Sequence, residues 1–448
     1  MAGSATFFEH VLLGRSSEDV SPIVSVLYSM AIVLVLYLPF VALLAMIAIW
    51  GERKVAGHMQ CRPGPNRVGP FGLLQSLADG SKLVMKEDLI PRDADHILFR
   101  LAPYLTFVPV FVALVAMPFG PDLAFLRNLN SGLFLILAML SVEILGVIVA
   151  GWASNNKWSI YGAMREACQM VSYEIPLGLS LLIGVMCAGT LNVLDMGFEQ
   201  GGGLHTWLVF RNPFVFLAFF VYFIASLASN KRAPFDLPES ESELVGGYHT
   251  EYSGMRWAFF FFAEYAAMFV VGGVQTALFL GGWNDPFGLI GYYHHQFMQD
   301  PASHTAGLIV LNVIAAAVFI AKASTIILVQ MWLRWTLPRP RIDQVLYTCV
   351  KVLLPLACAI LLGAAIWQLF VPARTGLPWA HYNPFRWNDL VAGASVLGVL
   401  VQLLLAFVGL AILLAIVMWI AHAAATAKTV RKRISEPAPI QLGVTPGT

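Results

Sequence analysis

The chain has 448 residues, 58% of them hydrophobic and 12% charged, with a mean hydropathy of +0.73 and a formal net charge of +1. Soluble domains average about 25% charged residues, so the composition excludes an ordinary water-facing surface. The near-neutral balance lacks the basic footprint of a nucleic-acid binder, and neither a dinucleotide fingerprint nor a P-loop appears.

Taken in chain order, residues 1–22 read as an extracytoplasmic segment. The first apolar run, 23–50, exceeds the ~18–20 residues needed to cross a bilayer. It has no basic n-region or small-residue cleavage site, so it reads as an uncleaved anchor. Residues 51–100 follow as a large loop, GERKVAGHMQCRPGPNRVGPFGLLQSLADGSKLVMKED and beyond. After its Pro/Gly-rich turn, Leu73, Leu74, Leu77 and Val84 share one side of a helical pattern, which predicts an amphipathic helix at the membrane interface.

Further spans are predicted at 101–119, 133–152, 173–194 and 213–229. The loop at 229–256 then carries RAPFDLPESESELVGGYHTEY, with Asp236, Glu239, Glu241, Glu243 and Glu251 against Arg232. Spans at 256–281, 306–331 and 347–370 complete a membrane core over 23–370. An outer loop and a ninth span at 391–422 occupy 371–424, and the Pro/Gly-rich tail at 425–448 reads as disordered. The fold class is thus an all-α polytopic membrane protein of about nine helices, with amphipathic loops on the cytoplasmic side.

Alternate loops hold twenty Lys/Arg against five on the other side. By the positive-inside rule the N-terminus is outside and the C-terminus cytoplasmic, which puts both large loops in the cytoplasm. No inverted repeat of the kind that marks many transporters is found.

Charges inside the spans carry the first functional signal. Glu143, Glu174 and Glu264 fall in three different spans, joined by Lys322 and Lys351. An ionisable side chain at mid-span costs about 2.5–3.5 kcal/mol on insertion scales and marks ion or proton paths. Glu174 and Lys351 sit near span ends and also fit simple snorkelling; Glu143 and Glu264 lie deeper. Burial raises a carboxyl toward neutrality, where it can both take and release a proton.

For the acidic loop two readings stay open. It is a solvated turn, or a set of acids embedded in apolar sequence (PFDLP, LVGGY). Pro238 suits a first helical turn, after which Glu239 and Glu243 would share a face. Cys61, Cys168, Cys187, Cys349 and Cys358 form no CxxC pair and read as packing thiols. His294, His295 and His304 read as outer-surface histidines rather than metal ligands, so no metal site is expected.

The stretches GERKVAGHMQCRPGPNRVGPFGLLQSLADGSKL, GWASNNKWSIYGAMREACQMVSYEIPL, RAPFDLPESESELVGGYHTEYSGMRWAFFFFAEY and RWTLPRPRIDQVLYTCVKVLLPL are long, ordered motifs. Together they resemble the H-subunit family of bacterial NADH:quinone oxidoreductase, respiratory complex I. That family includes the mitochondrial NADH dehydrogenase subunit 1, and the likeness runs over about 23–370.

The resemblance implies a bacterial inner-membrane component that forms much of a quinone chamber, with loops 51–100 and 229–256 at its mouth. It implies a proton relay of Glu239, Glu241, Glu243, Glu251, Glu174, Glu264 and Glu143. It also implies polar positions on the quinone path at Arg53, Arg62, Asp79, Arg232 and Asp236. Quinone would be the substrate, and this chain would bind no cofactor itself. Flavin and iron–sulfur clusters would sit in partner subunits, the partners being peripheral-arm quinone-site and iron–sulfur subunits, membrane-arm pumping subunits and membrane lipid. Two alternatives share some of these features, a membrane-bound hydrogenase subunit and a proton-coupled transporter. One departure stands out: Ser229 occupies the position at which the resemblance expects a glutamate, so a relay member is absent or supplied elsewhere.

Overall fold

The computed structural model describes residues 33–125, 129–238, 241–299 and 305–370, together with Ala411 and Met418. The predicted ninth span and tail, and the segment 1–32, lie outside the described residues. Within them every predicted span is a helix. After a π-helical turn at Val33–Tyr37 comes α1 (Leu38–Met59), followed by the short α2 (Gln75–Met85). Then come α3 (His96–Val115), α4 (Gly132–Ala153) and α5 (Lys157–Ala188), and the short α6 (Val193–Glu199) and α7 (Leu208–Arg211). The apolar α8 (Pro213–Ser229) leads into the acidic loop, which contains the single turn α9 (Glu241–Leu244). The chain continues through α10 (Gly254–Phe279), α11 (Leu289–Gln299), α12 (Thr305–Thr336), α13 (Ile342–Tyr347) and α14 (Leu354–Phe370).

Among the described residues seven segments are long and apolar enough to cross a bilayer, and α8 is a shorter apolar helix beside them. Their ends are set by local chemistry. Asp95 accepts from the backbone N–H groups of Ile97 and Leu98 at 3.0 and 3.2 Å and so caps α3. Asn156, Asn192 and Asn212 cap α5, α6 and α8 in the same way. Such caps satisfy donors that the first helical turn leaves orphaned. At its other end α5 stops on Gly189, whose φ of +73° is left-handed.

The core is built around α10, 78% of whose apolar window is buried. Aromatic edges fill the space beside it: Phe119 and Phe319 lie 5.5 Å apart, and Phe40 and Phe269 5.9 Å. The outer faces of the bundle remain apolar and exposed, for example at Leu101, Val108, Phe134, Leu145, Val313 and Leu362. Exposed apolar faces on this scale are lipid-facing. The molecule is therefore a multi-pass membrane protein.

On α2, Leu77, Val84 and Met85 are exposed, next to exposed Leu74 and Phe71. The predicted amphipathic helix is present, with its apolar side uncovered. Its neighbouring turn requires glycine. Gly72 has φ +76°, and a Cβ there would lie 2.0 Å from the Pro65 carbonyl oxygen.

The acidic loop is packed down rather than free. Phe99 of α3 stacks on Tyr252 with ring centroids 4.0 Å apart and planes within 2°. Tyr248, Tyr252 and Phe260 bury with Ala150, Ala153 and Ala163 in a second apolar cluster. At Gly162 of α5 a Cβ would stand 2.7 Å from the Tyr248 nitrogen, so only glycine admits the loop this closely.

Candidate functional site

Two adjacent cations, Lys231 and Arg232, follow the last turn of α8 and turn inward. Both are buried. Lys231 Nζ lies 3.2 Å from Glu143 Oε1 on α4 and 3.1 Å from Glu166 Oε1 on α5. Its ammonium also stands 5.6 Å from the centre of the Tyr248 ring. Arg232 donates from Nη1 to both oxygens of Glu52 on α1, at 3.0 and 2.9 Å. Its Nε lies 2.9 Å from Glu264 Oε1 on α10, and its guanidinium is 4.5 Å from the Tyr265 ring centre. Tyr265 donates its hydroxyl to Glu52 Oε2 at 2.7 Å, and Arg334 of α12 also pairs with Glu52.

Removing ions from water costs several kcal/mol each, so this array persists only because each charge meets an opposite one. At Arg232 burial opposes the charge. Glu264, Glu52 and Tyr265 outweigh that and raise its pKa well above the ordinary value. The result is two buried clusters, Glu143–Lys231–Glu166 and Glu264–Arg232–Glu52–Arg334, joined by one peptide bond.

Of the predicted relay residues, Glu143 and Glu264 are members of these clusters. Glu174, on α5, accepts a hydrogen bond from Ser141 Oγ, two residues before Glu143. Glu243 pairs with Arg165 of α5 at 2.5 Å, on the wall of an open cavity of about 430 Å³ lined also by Trp158, Tyr161, Met164 and Ile342. Glu251 accepts from the side-chain amide of Asn156 at 2.5 Å, so one residue both caps α5 and ties down the loop. Glu241 opens α9, three residues after Pro238 rather than at its side. Glu239 lies outside the described residues.

The residues expected on a quinone path divide in two. Arg232 sits in the array, and Asp236 pairs with Arg339 at 3.0 Å. Arg53 and Asp79 form a 2.5 Å pair that ties the end of α1 to α2, with Gln75 donating to Asp79 at 3.1 Å. Burial pushes the Asp79 carboxyl up, but Arg53 and Gln75 outweigh it and hold it below its usual value. Arg62 donates to Gln60 at 2.6 Å and stays at the exposed turn.

The two membrane lysines behave differently. Lys322 donates to the carbonyls of Leu280, Gly282 and Asn284 at 2.7, 3.1 and 2.6 Å, closing the end of α10. Lys351 is exposed, over the Tyr347 ring at 5.1 Å, which fits the snorkelling reading.

Sequence reasoning misses four members of the array: Glu52, Glu166, Lys231 and Arg334. Glu166 falls in a predicted loop because the apolar window starts near 173. The helix begins at Lys157, and Asn156 in cap position is the available signal. Glu52 is masked by the basic GERK context, which reads as loop. His294 corrects another expectation. It is buried, with Nε2 3.1 Å from Asp122 Oδ2, while Asn312 donates to the same oxygen at 3.1 Å. His304 lies outside the described residues. The five cysteines are free thiols, and no metal-ligand group occurs among the described residues.

Fold and site together define a polytopic membrane protein built around a buried array of paired carboxylates and cations. The profile of the family "NADH dehydrogenase" matches residues 31–365. The NADH-quinone oxidoreductase H subunit of Chlorobium luteolum is 48% identical over 339 residues, covering 75% of this chain and 88% of that protein. The H subunits of Anaeromyxobacter dehalogenans and Brevibacillus brevis are 42% and 44% identical, over 77% and 71% of this chain and 83% and 87% of theirs. The chain belongs to the NADH dehydrogenase family, among the H subunits of NADH-quinone oxidoreductase.

Proposed function

We propose that this membrane subunit forms much of the quinone chamber of a proton-translocating NADH:quinone oxidoreductase and couples quinone reduction to proton movement through its glutamates. The observation that carries the reading is the pair Lys231–Arg232. It links the start of the acidic loop, in which both residues lie, to carboxylates on α1, α4, α5 and α10.

Two-electron reduction of a quinone builds negative charge and demands two protons. A unit charge about 10 Å from a carboxylate, at an effective dielectric near 20, interacts by about 1.7 kcal/mol. That is a little over one pKa unit, enough to change occupancy at a poised site. Acids this close titrate as a coupled set. Quinone chemistry shifts protons on Glu239, Glu241, Glu243 and Glu251, and Glu174, Glu264 and Glu143 pass the change inward. Arg53, Arg62, Asp79, Arg232 and Asp236 line the approach.

Electrons come from partner subunits carrying flavin and iron–sulfur clusters, docked on loops 51–100 and 229–256, and pumping subunits lie beside the bundle. The N-terminus is outside and the C-terminus cytoplasmic. The core at 23–370 is followed by an outer loop with an additional helix and a cytoplasmic tail.

Replacing Glu241 or Glu243 with Gln in the assembled complex is expected to impair NADH-driven proton pumping while assembly survives. Vesicle pumping assays check this. Normal pumping in both variants would overturn the reading.

A further inference from the structure

Lys231, Glu143 and Glu166 come from three elements: the turn after α8, α4 and α5. Their side chains are 3%, 5% and 0% exposed, with the ammonium within 3.2 Å of one carboxylate oxygen on each side. Two carboxylates sharing one cation give this trio one negative charge in excess. Excess charge is costly in such a place, so a single proton on either acid brings the trio to neutrality. Carboxylates that compete for one cation titrate as a set.

The backbone makes the same demand. Lys231 has φ +54°, a left-handed conformation that costs any residue with a Cβ and that glycine adopts freely. What lysine adds there is its Nζ. The site is also fixed in place. Gln169, one turn beyond Glu166 on α5, donates to the Ala228 and Phe235 carbonyls at 2.9 and 2.8 Å, on either side of Lys231. Ala228 precedes Ser229, the position where a carboxylate is expected but absent.

We propose that Glu166, Lys231 and Glu143 form an exchangeable-proton site in which Glu166 supplies the carboxylate that Ser229 lacks and Lys231 hands the proton across. In the transfer, Lys231 gives an N–H proton to the Glu143 carboxylate and takes the proton of the Glu166 carboxylic acid. The ammonium is regenerated, one carboxylate has replaced the other, and no electrons move. This rests on the coupling function proposed above and deepens it.

Other titratable groups on the packed elements are Arg232 on the same turn, Tyr248 and His249 beneath it, and Arg165 with Glu243 along α5. Lys157, Tyr161, Cys168, Tyr173, Glu174 and Cys187 are also on α5, and Arg256, Glu264 and Tyr265 lie on α10. On α8 only Tyr222 titrates, on α3 His96, Arg100 and Tyr104, and on α14 Cys358.

The test uses the assembled complex in membrane vesicles. Protons moved per NADH oxidised by quinone are compared with NADH oxidation by a hydrophilic acceptor, which reports on the peripheral arm alone. E166Q and K231M are expected to lower the proton ratio about twofold or more and to shift its pH profile by about one unit. K231R should retain most of the ratio, and S229E should restore it in E166Q. The double variant K231M/E166Q removes the ammonium and one carboxylate together and leaves a single carboxyl, Glu143, that one proton brings to neutrality, so it keeps the test available if a single variant fails to assemble. A wild-type ratio and pH profile in that double variant would overturn the proposal. If E243Q loses pumping while K231M/E166Q keeps it, this inference falls and the coupling function stands. Full pumping in K231M/E166Q and in both E241Q and E243Q removes the coupling function as well.

Discussion

Arg232 concentrates the physics of the site in one side chain. Its planar guanidinium reaches Glu52 through one nitrogen and Glu264 through another, with a tyrosine ring against it. A lysine supplies a point charge without that fork. Truncating one partner of a buried charged pair costs about 3–5 kcal/mol, so Arg232→Ala is expected to abolish stable assembly of the protein into its complex. Arg232→Lys should assemble and lose quinone reductase activity, because one ammonium cannot hold both carboxylates in register. The subunit content of purified membranes, together with NADH:quinone activity, checks both outcomes. Equal activity in Arg232→Lys and the parent would show that only charge matters there.

At the scale of elements, position depends on the close approach of backbones. The loop at 247–249 lies against α5 because residue 162 has no side chain. A methyl there must push backbone rather than a flexible side chain, and packed interiors transmit such shifts. Gly162→Ala is therefore expected to displace Tyr248 from Lys231 and loosen the acidic loop. The measurement is proteolytic cleavage after Tyr248 or Tyr252 in assembled membranes, expected to rise at least about threefold with a local opening of roughly 0.7 kcal/mol. Unchanged cleavage would mean the loop is held by the Phe99–Tyr252 stack and the Asn156–Glu251 bond rather than by the close approach at Gly162. Element bounds also explain the largest gap in the sequence reading. The 32-residue α5 is about 48 Å long, well beyond the ~30 Å hydrocarbon core. A hydropathy window sees only its apolar part, and Glu166 rides on the rest.

For the whole molecule, the bundle was legible because length and apolarity alone decide whether a segment can cross a bilayer. Each predicted span within the described residues is a helix, and Glu143 and Glu264 could be singled out as too costly to be incidental. Their partners could not be read, because burial of a charge is decided by distant chain. Lys231 and Glu143 are 88 positions apart, Arg232 and Glu52 180, and Arg334 and Glu52 282. No local pattern records such pairings. The same reason hides His294, whose partner Asp122 lies 172 positions away. The quoted motifs carried the family and pointed at Arg232, Glu143 and Glu264, but they passed over Glu52, Glu166, Lys231 and Arg334, which complete the array.

The central claim is that these carboxylates form one coupled proton array responsive to quinone reduction. Difference infrared spectroscopy of the assembled complex, quinone oxidised against quinone reduced, reads the carboxyl C=O band directly. The account predicts a band change in the parent complex that diminishes in Glu264→Gln and again in Glu143→Gln. A parent spectrum with no carboxyl change, or one untouched by either substitution, would contradict it.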